Sequence, residues 1–450
     1  MHPRPVLLLI GALTLWAPTQ AQTVPPVSGV QHRFAPFVDA TAWPLADLPA
    51  LSAASGARAF VLGFIVNDGQ TSTRPCTPKW GGFDPYYATQ AQATAGSGEV
   101  HLRGAIDALG AAGGRVMISF GGAANTPIDA TCTSPQALAD AYAEVVDTYG
   151  VYDLDFDIEG TWVVDAPSRA RRVAALVLLQ QMRPTVRLWF TLPVLPTGLD
   201  ANGVSTLNQA VAGGVNLSGV NIMAMDYGAG AAPDPSQLGA YAISAMTALH
   251  GQLQSAYTLA GRPPLSDATA WSMVGVTPMI GVNDVAAEIF RTTHAAEVVA
   301  FAVEHRVGLV SMWSIQRDLP CPGGPTNWPQ TTCSSIEQTP YAFSGIFRQM
   351  DAVASTDGGP TDTDGLFLGL PHPHPVTTTA RISFHTPESS PVRLEVLDVL
   401  GRRVNVLTEG SLQADTHEVA FDAMPLTAGV YLLRLESGGA VLTRPLVVAR

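Results

Sequence analysis

Lysine is almost absent from this 450-residue sequence, since Lys79 is the only one. Acidic residues outnumber basic ones, and the formal net charge is −13. Nucleic acids are bound by basic surfaces, so this balance argues against a nucleic-acid-binding protein and is compatible with a neutral substrate. Only 14% of the residues are charged and 47% are hydrophobic, which excludes a largely disordered chain and indicates a sizeable core.

Long hydrophobic runs are missing except at the N-terminus. There, residues 6–16 are apolar, His2 and Arg4 precede them, and small residues follow up to Ala21. This layout predicts a secretory signal peptide at residues 1–21, because the run is too short to span a bilayer. We therefore expect a protein that is secreted or held at the cell surface after signal peptide cleavage, with no membrane span.

Cysteine is scarce, and the four cysteines lie in segments rich in proline, glycine, serine and threonine. Their spacing fits no zinc-binding template and the histidines show no ligand spacing, so no metal is expected. An exported chain meets an oxidising compartment, which favours two disulfides. We favour a pair between Cys321 and Cys333, which closes a short loop, and a pair between Cys76 and Cys132.

Between residues 33 and 350, eight short apolar runs rich in β-branched residues alternate with helix-like stretches. This alternation predicts an α/β fold, a (β/α)8 TIM barrel. A doubly wound open sheet would show the same alternation, but no glycine-rich phosphate-binding loop follows the first run. The predicted strands are residues 33–40, 57–66, 114–122, 151–159, 186–194, 219–228, 274–282 and 307–315.

The composition changes after residue 350. Residues 351–366 are rich in proline, glycine, aspartate and threonine without periodicity, which predicts a linker. Beyond them, short segments alternate apolar and polar residues and are separated by turn signals. This pattern predicts a small, all-β sandwich domain with antiparallel strands at residues 367–450.

The stretch YDLDFDIEG at residues 152–160 places Asp155, Asp157 and Glu159 at every second position. On a strand these three acids share one face. That face could be the solvent side of an antiparallel sheet or part of a calcium site, although a straight strand cannot wrap an ion as a loop does. In a parallel barrel, the acids would point inward toward the C-terminal mouth, where such barrels keep their active sites. Repulsion between the carboxylates would then raise the pKa of Glu159 and make it a general acid.

Four motifs make the region 33–350 resemble the family 18 glycoside hydrolases, the chitinases and endo-β-N-acetylglucosaminidases. Each lies at the end of a predicted strand: SFGG at residues 119–122, DFDIE at 155–159, MAMDYG at 223–228 and WS at 313–314. Within the family the sequence is similar to a prokaryotic and archaeal chitinase branch. That similarity includes a TWP-like start at residues 42–44, a WGG loop at 80–82 and TPMIGVND at 277–284.

The resemblance implies catalytic roles for four matching residues. Glu159 would donate a proton to the glycosidic oxygen, and Asp157 would hold the acetamido group of the substrate. Asp155 would share charge with Asp157, and Tyr227 would hydrogen-bond the acetamido oxygen. Trp313 would form the floor under the sugar at the cleavage point.

Further substrate-binding candidates are Ser119, which we expect to bond Asp155, and Met225, Asp226 and Trp80. Two departures from the family pattern stand out. Tyr152 and Asp153 occupy the positions of the usual Asp-Gly, so the outermost acid is missing. The acid that usually follows the tyrosine is replaced by Gly228, unless Asp226 supplies it.

The tail resembles the C-terminal sorting domains that direct proteins through the type IX secretion system of Bacteroidetes and related bacteria. The matching motifs are LEVLDVLGRRVNVL at residues 394–407, GVYLLRLESGG at 429–439 and TRPLVVAR at 443–450. This implies the type IX machinery as a partner. A carbohydrate-binding β-sandwich is the alternative, although the tail has few aromatic residues with which to hold a glycan.

We therefore expect a secreted, monomeric chitinase-like hydrolase that cleaves β-1,4 N-acetylglucosamine linkages by a retaining, substrate-assisted mechanism. No cofactor is expected. Two alternatives are an endo-β-N-acetylglucosaminidase acting on N-glycans and a non-catalytic chitin-binding barrel. The intact Asp157, Glu159 and Tyr227 argue against the second.

Overall fold

The computed structural model describes residues 33–42, 45–67, 75–82, 98–354, 366–368, 371, 376–386, 388–398 and 402–448. The predicted signal peptide at residues 1–21 lies outside the described residues, as do positions 43 and 44 and most of the predicted linker, residues 355–365. Within the described ranges, no helix combines the length and the apolar character needed to cross a membrane.

The first part of the chain alternates strands and helices. Its strands are β1 (Phe37–Asp39), β2 (Ala59–Asn67), β3 (Pro78–Trp80), β4 (Arg115–Gly121), β5 (Asp153–Asp157), β6 (Arg187–Pro193), β7 (Leu217–Met223), β8 (Val274–Thr277), β9 (Gly281–Val282), β10 (Ile289–Phe290) and β11 (Leu309–Val310). Its helices are α1 (Leu48–Ser55), α2 (Gly98–Ala111), α3 (Ile128–Thr131), α4 (Pro135–Tyr149), α5 (Ala166–Met182), α6 (Ala201–Ala212), α7 (Leu238–Leu259), α8 (Asp267–Ser272), α9 (Thr292–His305), α10 (Ala342–Phe347) and α11 (Gln349–Ala354).

Eight parallel strands form one sheet in the order β1, β2, β4, β5, β6, β7, β8 and β11. The segment that leads into β1 closes this sheet onto β11. The amide of Val310 donates to the carbonyl of Arg33 at 2.7 Å, and the amide of Ala35 donates to the carbonyl of Val310 at 3.0 Å. Each of the eight predicted strands overlaps one of these barrel strands, so the predicted barrel is confirmed.

Helix α4 supports the strand that carries the acids. Its N-terminus is capped by Ser134, whose hydroxyl accepts a hydrogen bond from the amide of Ala137 at 3.1 Å, and it ends at Gly150 in the left-handed conformation. Tyr142 of α4 packs edge-on against Phe156 of β5, with ring centroids 5.1 Å apart. The apolar face of β5 therefore points outward to the helices, and its acidic face points into the barrel.

The barrel interior is filled by an apolar cluster that includes Trp189 of β6. Glycines on the neighbouring strands leave room for this indole. A Cβ atom at Gly219 would lie 2.3 Å from Cζ3 of Trp189, and one at Gly275 would lie 3.1 Å from the same atom. No larger residue fits at Gly219 without displacing the indole. With this part of the interior filled, a substrate has to bind at the mouth.

Both predicted disulfides are confirmed. Cys76 is bonded to Cys132, at the end of α3, and Cys321 is bonded to Cys333 in the segment after β11. No described cysteine is free. The second disulfide closes a loop next to the hairpin formed by β9 and β10, where the amide of Val282 donates to the carbonyl of Ser334 at 3.0 Å.

The tail consists of antiparallel strands. They are β12 (Phe367–Leu368), β13 (Thr379–Thr386), β14 (Ser390–Leu397), β15 (Arg403–Leu412), β16 (Asp415–Asp422), β17 (Gly429–Ser437) and β18 (Ala440–Val448). They form two sheets, in the orders β12, β13, β16 and β15, β14, β17, β18. Both sheets contribute side chains to one core, among them Ile382 and Phe384 from the first and Leu394 and Leu433 from the second. The predicted β-sandwich is confirmed.

Candidate active site

The three acids of β5 lie at the C-terminal mouth of the barrel, as the alternation predicts. Asp155 and Asp157 lie on the strand and are buried, with 1% and 6% of their surface exposed. Glu159 follows the strand and is partly buried. The three carboxyl groups therefore stand in a row from the barrel interior to its rim.

A chain of hydrogen bonds across five neighbouring strands ends on Asp155. Ser119 donates to Oδ2 of Asp155 at 2.6 Å, and Thr191 donates to Oδ1 at 2.7 Å. Asn221 donates to the hydroxyl of Thr191 at 3.0 Å and accepts from Thr277 at 2.9 Å. Only Ser119 was expected from the sequence, because single hydroxyl or amide residues within strands form no recognisable pattern.

Burial raises the pKa of all three acids. The pKa of Asp155 is raised to about 7, although the hydrogen bonds from Ser119 and Thr191 favour its ionised form. Burial raises the pKa of Asp157 well above its ordinary range, and the charges of Glu159 and Asp155 add to this effect. The pKa of Glu159 is raised by burial, whereas its hydrogen bond with Asp157 lowers it. The pKa of Glu159 thus moves in the expected direction, but burial is the cause, and the repulsion acts on Asp157.

One carboxylate oxygen of Asp157 is available to a ligand. Among the described residues, no donor bonds its Oδ1 atom, which is buried. A buried oxygen without a partner costs free energy, so it marks a position where a donor from a ligand would be stabilising. The side chain of Glu159 hydrogen-bonds Asp157 from the rim side.

The SFGG motif lets β4 approach β5 closely at this level. The amide of Gly122 donates to the carbonyl of Asp157 at 3.0 Å. A Cβ atom at Gly121, whose φ is +105°, would lie 2.0 Å from the carbonyl oxygen of Asp157. Glycine is therefore required at position 121 to hold the backbone of Asp157 in place.

Tyr227 follows β7 and is 8% exposed. Its hydroxyl is buried, and within the described part of the chain no group bonds it. Burial, and secondly the charge of Glu288, raise the pKa of Tyr227 above its ordinary range, so the phenol stays protonated and can donate a hydrogen bond. Met225 and Asp226 precede it and are partly buried.

Glu288 is a residue that the sequence did not point to. It is 2% exposed, and its two carboxylate oxygens accept the amides of Tyr227 at 3.1 Å and Gly228 at 2.6 Å. Asp226 accepts the amide of Val285 at 2.7 Å. Glu288 lies four residues beyond TPMIGVND, in a segment without periodicity, so no local pattern could have identified it.

Trp313 lies after β11, where the barrel closes. Its partly buried ring stacks on Phe64, with centroids 5.7 Å apart and an interplanar angle of 25°, and it contacts Phe37 at 5.9 Å. An aromatic ring held in this way can pack against the C–H groups of a pyranose.

Trp80 is not brought to the mouth. It is fully buried, and its indole N–H donates to the hydroxyl of Tyr149 on α4 at 2.8 Å. An enclosed indole offers no face to a sugar. The prediction that Trp80 binds the substrate is therefore wrong, because the side chain is fully buried.

Similarity to known proteins agrees with this geometry. The chain is 38% identical over 343 residues to "Probable bifunctional chitinase/lysozyme" of Escherichia coli (strain K12) and 37% identical over 315 residues to "Endochitinase 11" of Metarhizium anisopliae. These alignments cover 74% and 68% of this chain but only 36% and 56% of those proteins. A crystal structure of the active domain 2 of chitinase from Pyrococcus furiosus is 30% identical, with a TM-score of 0.61, and the match covers 72% of this chain and 96% of that one. The chain belongs to the family 18 glycoside hydrolases.

The departure of this family 18 barrel from the usual motif has a structural counterpart. Asp153 is the first residue of β5 and lies opposite Arg187 of β6, with which it forms an ion pair. Tyr152 precedes the strand and is 43% exposed. Both residues lie at the end of β5 away from the mouth, so the changed positions are separated from the three acids.

The tail of this family 18 protein has a match of its own. Residues 372–449 match the family described as "Secretion system C-terminal sorting domain". This confirms the resemblance of the tail. For metals, the described residues contain no group of three or more histidine, cysteine, aspartate or glutamate side chains that could hold an ion.

Proposed function

We propose that the barrel hydrolyses β-1,4 linkages between N-acetylglucosamine units of chitin, with retention of the anomeric configuration. The row of buried acids at the mouth, Asp155, Asp157 and Glu159, carries this proposal, because burial raises the pKa of each. The printed names of the E. coli, M. anisopliae and P. furiosus relatives support chitin as the substrate class.

Glu159 is the general acid in this proposal. A raised pKa keeps its carboxyl group protonated closer to neutral pH, so that it can give a proton to the glycosidic oxygen as the C1–O bond breaks. The resulting carboxylate then removes a proton from the water molecule that attacks C1. One side chain near the rim thus serves as acid in the first step and base in the second.

The nucleophile in the first step is the acetamido oxygen of the substrate, as in other substrate-assisted glycosidases. Asp157 accepts the acetamido N–H through its unpartnered Oδ1 atom and balances the positive charge of the cyclic intermediate. Tyr227 donates its free hydroxyl to the acetamido oxygen and aligns it with C1. Trp313 supports the sugar ring from below.

The proposal is tested by incubating the purified chain with chitin pentamer and, in parallel, with an N-glycosylated protein. We expect cleavage of the pentamer, and proton NMR of fresh product should show the β anomer, because inversion by the acetamido group and inversion by water cancel. Fully deacetylated chitosan should be inert, since its amine cannot act as the nucleophile. Initial release of the α anomer, or turnover of chitosan, would contradict the mechanism.

We further propose that the sorting domain exports the protein through the type IX machinery and that residues 1–21 are removed as a signal peptide. The match of residues 372–449 supports the export route, and the apolar run at residues 6–16 supports the signal peptide. Deleting residues 367–450 should trap the protein in the periplasm of its host, as detected by cell fractionation and immunoblotting. Normal secretion of the truncated protein would show that the tail has another task.

A further inference from the structure

Two segments at the mouth of the barrel exchange hydrogen bonds through carboxylates. One is the turn after β7, which contains Asp226, Tyr227 and Gly228. The other is the hairpin of β9 and β10, which contains Val285 and Glu288. Asp226 accepts an amide of the hairpin at 2.7 Å, and Glu288 accepts two amides of the turn at 3.1 and 2.6 Å.

The backbone of the turn is shaped for this contact. Asp226 has a φ of +52°, in the left-handed region, and the next two amides point to the same carboxylate. Successive amides in such a conformation form a small concave site for an anion. Glu288 fills it and is 2% exposed, so loss of its carboxylate would leave the buried amide of Tyr227 and the partly buried amide of Gly228 without this partner.

The hairpin is anchored independently of the turn. The guanidinium of Arg317, itself 2% exposed, donates to the carbonyls of Ile280 at 2.9 Å and Val282 at 2.6 Å. Val282 also donates its amide to Ser334, which is adjacent to the Cys321–Cys333 disulfide. Glu288 therefore extends from a fixed base toward Tyr227.

We propose that Asp226 and Glu288 form a reciprocal carboxylate clamp that positions the hydroxyl of Tyr227 for the acetamido oxygen of the substrate. Both acids are positioning residues that act through Tyr227 and make no contact with the sugar. The hydroxyl that they position has no partner within the described protein and is available to a ligand. This inference rests on the proposed function and assigns Asp226 to the clamp rather than to the substrate.

A double-mutant cycle tests the clamp. Glu288→Gln keeps the size of the side chain, but its amide group can accept only one of the two backbone N–H groups. We expect kcat/KM for chitin pentamer to fall by about ten- to a hundredfold. In a Tyr227→Phe background the same change should cost no more than about twofold, because the hydroxyl that the clamp positions is already missing. Equal losses in both backgrounds would overturn the proposal, as would no loss in the wild-type background.

The matched control is Ala286→Gln, which changes a side chain of the same hairpin and leaves both carboxylates in place. Ala286 is exposed, and its side chain is not part of the clamp, so kcat/KM should stay within about twofold. Should Glu288→Gln fail to fold, as judged by thermal unfolding, Asp226→Gly removes the other carboxylate and suits the left-handed backbone. Its loss of activity should likewise disappear in the Tyr227→Phe background, and persistence of that loss would count against the clamp.

Binding separates failure of the clamp from failure of the proposed function. Chitin pentamer is titrated into Glu159→Gln and into Glu159→Gln with Glu288→Gln, and binding is measured by calorimetry. We expect about tenfold weaker binding in the double variant. If Glu159→Gln itself does not bind the pentamer and the wild type does not cleave it, the proposed function is wrong. If both variants bind equally, the clamp is wrong and the function stands.

Discussion

The barrel and the tail each bury a carboxylate on a β-strand, but they treat it in opposite ways. In the tail, Glu395 of β14 is 2% exposed, and its cross-strand neighbour Arg434 lies within 3.4 Å of it. Arg403 pairs with it at 2.7 Å from the other side. In the barrel, the cross-strand neighbours of Asp157 are Gly121 and Thr191. Among the described residues, the charges that act on its pKa are those of two other acids, Glu159 and Asp155.

This difference distinguishes acids that are buried to stabilise the fold from acids that are buried for catalysis. A buried acid can serve the fold when it is paired with a cation, as Glu395 is in the tail and as Asp129 of α3 is with Arg172 of α5. A buried acid beside other acids is destabilising unless its altered protonation is used. The contrast predicts that substitution of the barrel acids changes turnover or the pH dependence of stability, whereas substitution of Glu395 in the tail changes stability alone.

The largest effect is expected for Glu159→Gln. Glutamine keeps the shape of the side chain but has no acidic proton, so turnover of chitin pentamer should fall about 10²- to 10⁴-fold while pentamer binding is retained. The measurement is kcat by reducing-end release, together with calorimetric binding. The matched control is Glu395→Gln in the tail, which should leave kcat unchanged. More than a hundredth of wild-type turnover in Glu159→Gln would count against a role as general acid.

Asp157→Asn should reduce kcat by roughly 10²- to 10³-fold, because it removes the charge that balances the intermediate. Since Asp157 makes no bond to carbon in the proposed mechanism, mass spectrometry of quenched variant enzyme should show no attached sugar. The remaining product should still be the β anomer. A glycosyl group attached to residue 157 in wild-type enzyme would contradict the substrate-assisted mechanism, because it would show that the enzyme supplies the nucleophile.

Asp155→Asn tests how much the burial of an acid without a neighbouring cation reduces the stability of the fold. The pKa of Asp155 is raised to about 7 in the folded state, above its unfolded value of about 4, so the folded state holds the proton more tightly. The contribution of this group to stability is therefore present below pH 4 and is lost as the pH rises toward 7. Between pH 5 and pH 8, the free energy of unfolding of Asp155→Asn should rise relative to that of wild type by at most about 3 kcal/mol, because part of the effect is already lost below pH 5. Thermal unfolding at both pH values measures this, and a difference that does not change with pH would contradict it.

The smallest effect is expected for Glu395→Gln on stability. Arg403 and Arg434 are about half and one-third exposed, so water can solvate them when the charge of Glu395 is removed. We expect the tail to lose about 1 kcal/mol in its free energy of unfolding, with no change in the pH dependence of the barrel. Denaturant unfolding of the full chain, followed by hydrogen exchange of the β14 amides, reports on this.

Features with a short repeat along the chain could be predicted from the sequence. The period of two on β5 places Asp155 and Asp157 on one face in any strand, and burial of both faces of a barrel strand decides that this face is the interior. The disulfide between Cys321 and Cys333 could also be predicted, because the two cysteines lie close together in the sequence and their bond closes a short loop. Trp80 shows where prediction from the sequence fails, because an aromatic residue after a predicted strand can either stack on a sugar or pack in the core.

By itself, the sequence determined the eight strands, the acidic face of β5 and the separate β-rich tail, because each depends on residues close together in the chain. Only the tertiary structure decided which distant segments meet. It brings the carboxylate of Glu288 to the amide of Tyr227, which is 61 residues away in the sequence. It also joins the segment before β1 to β11, although these two segments lie at opposite ends of the barrel sequence. It also decided that burial, more than repulsion, raises the pKa of Glu159. Desolvation depends on everything that surrounds a group, and a linear pattern records only its neighbours along the chain.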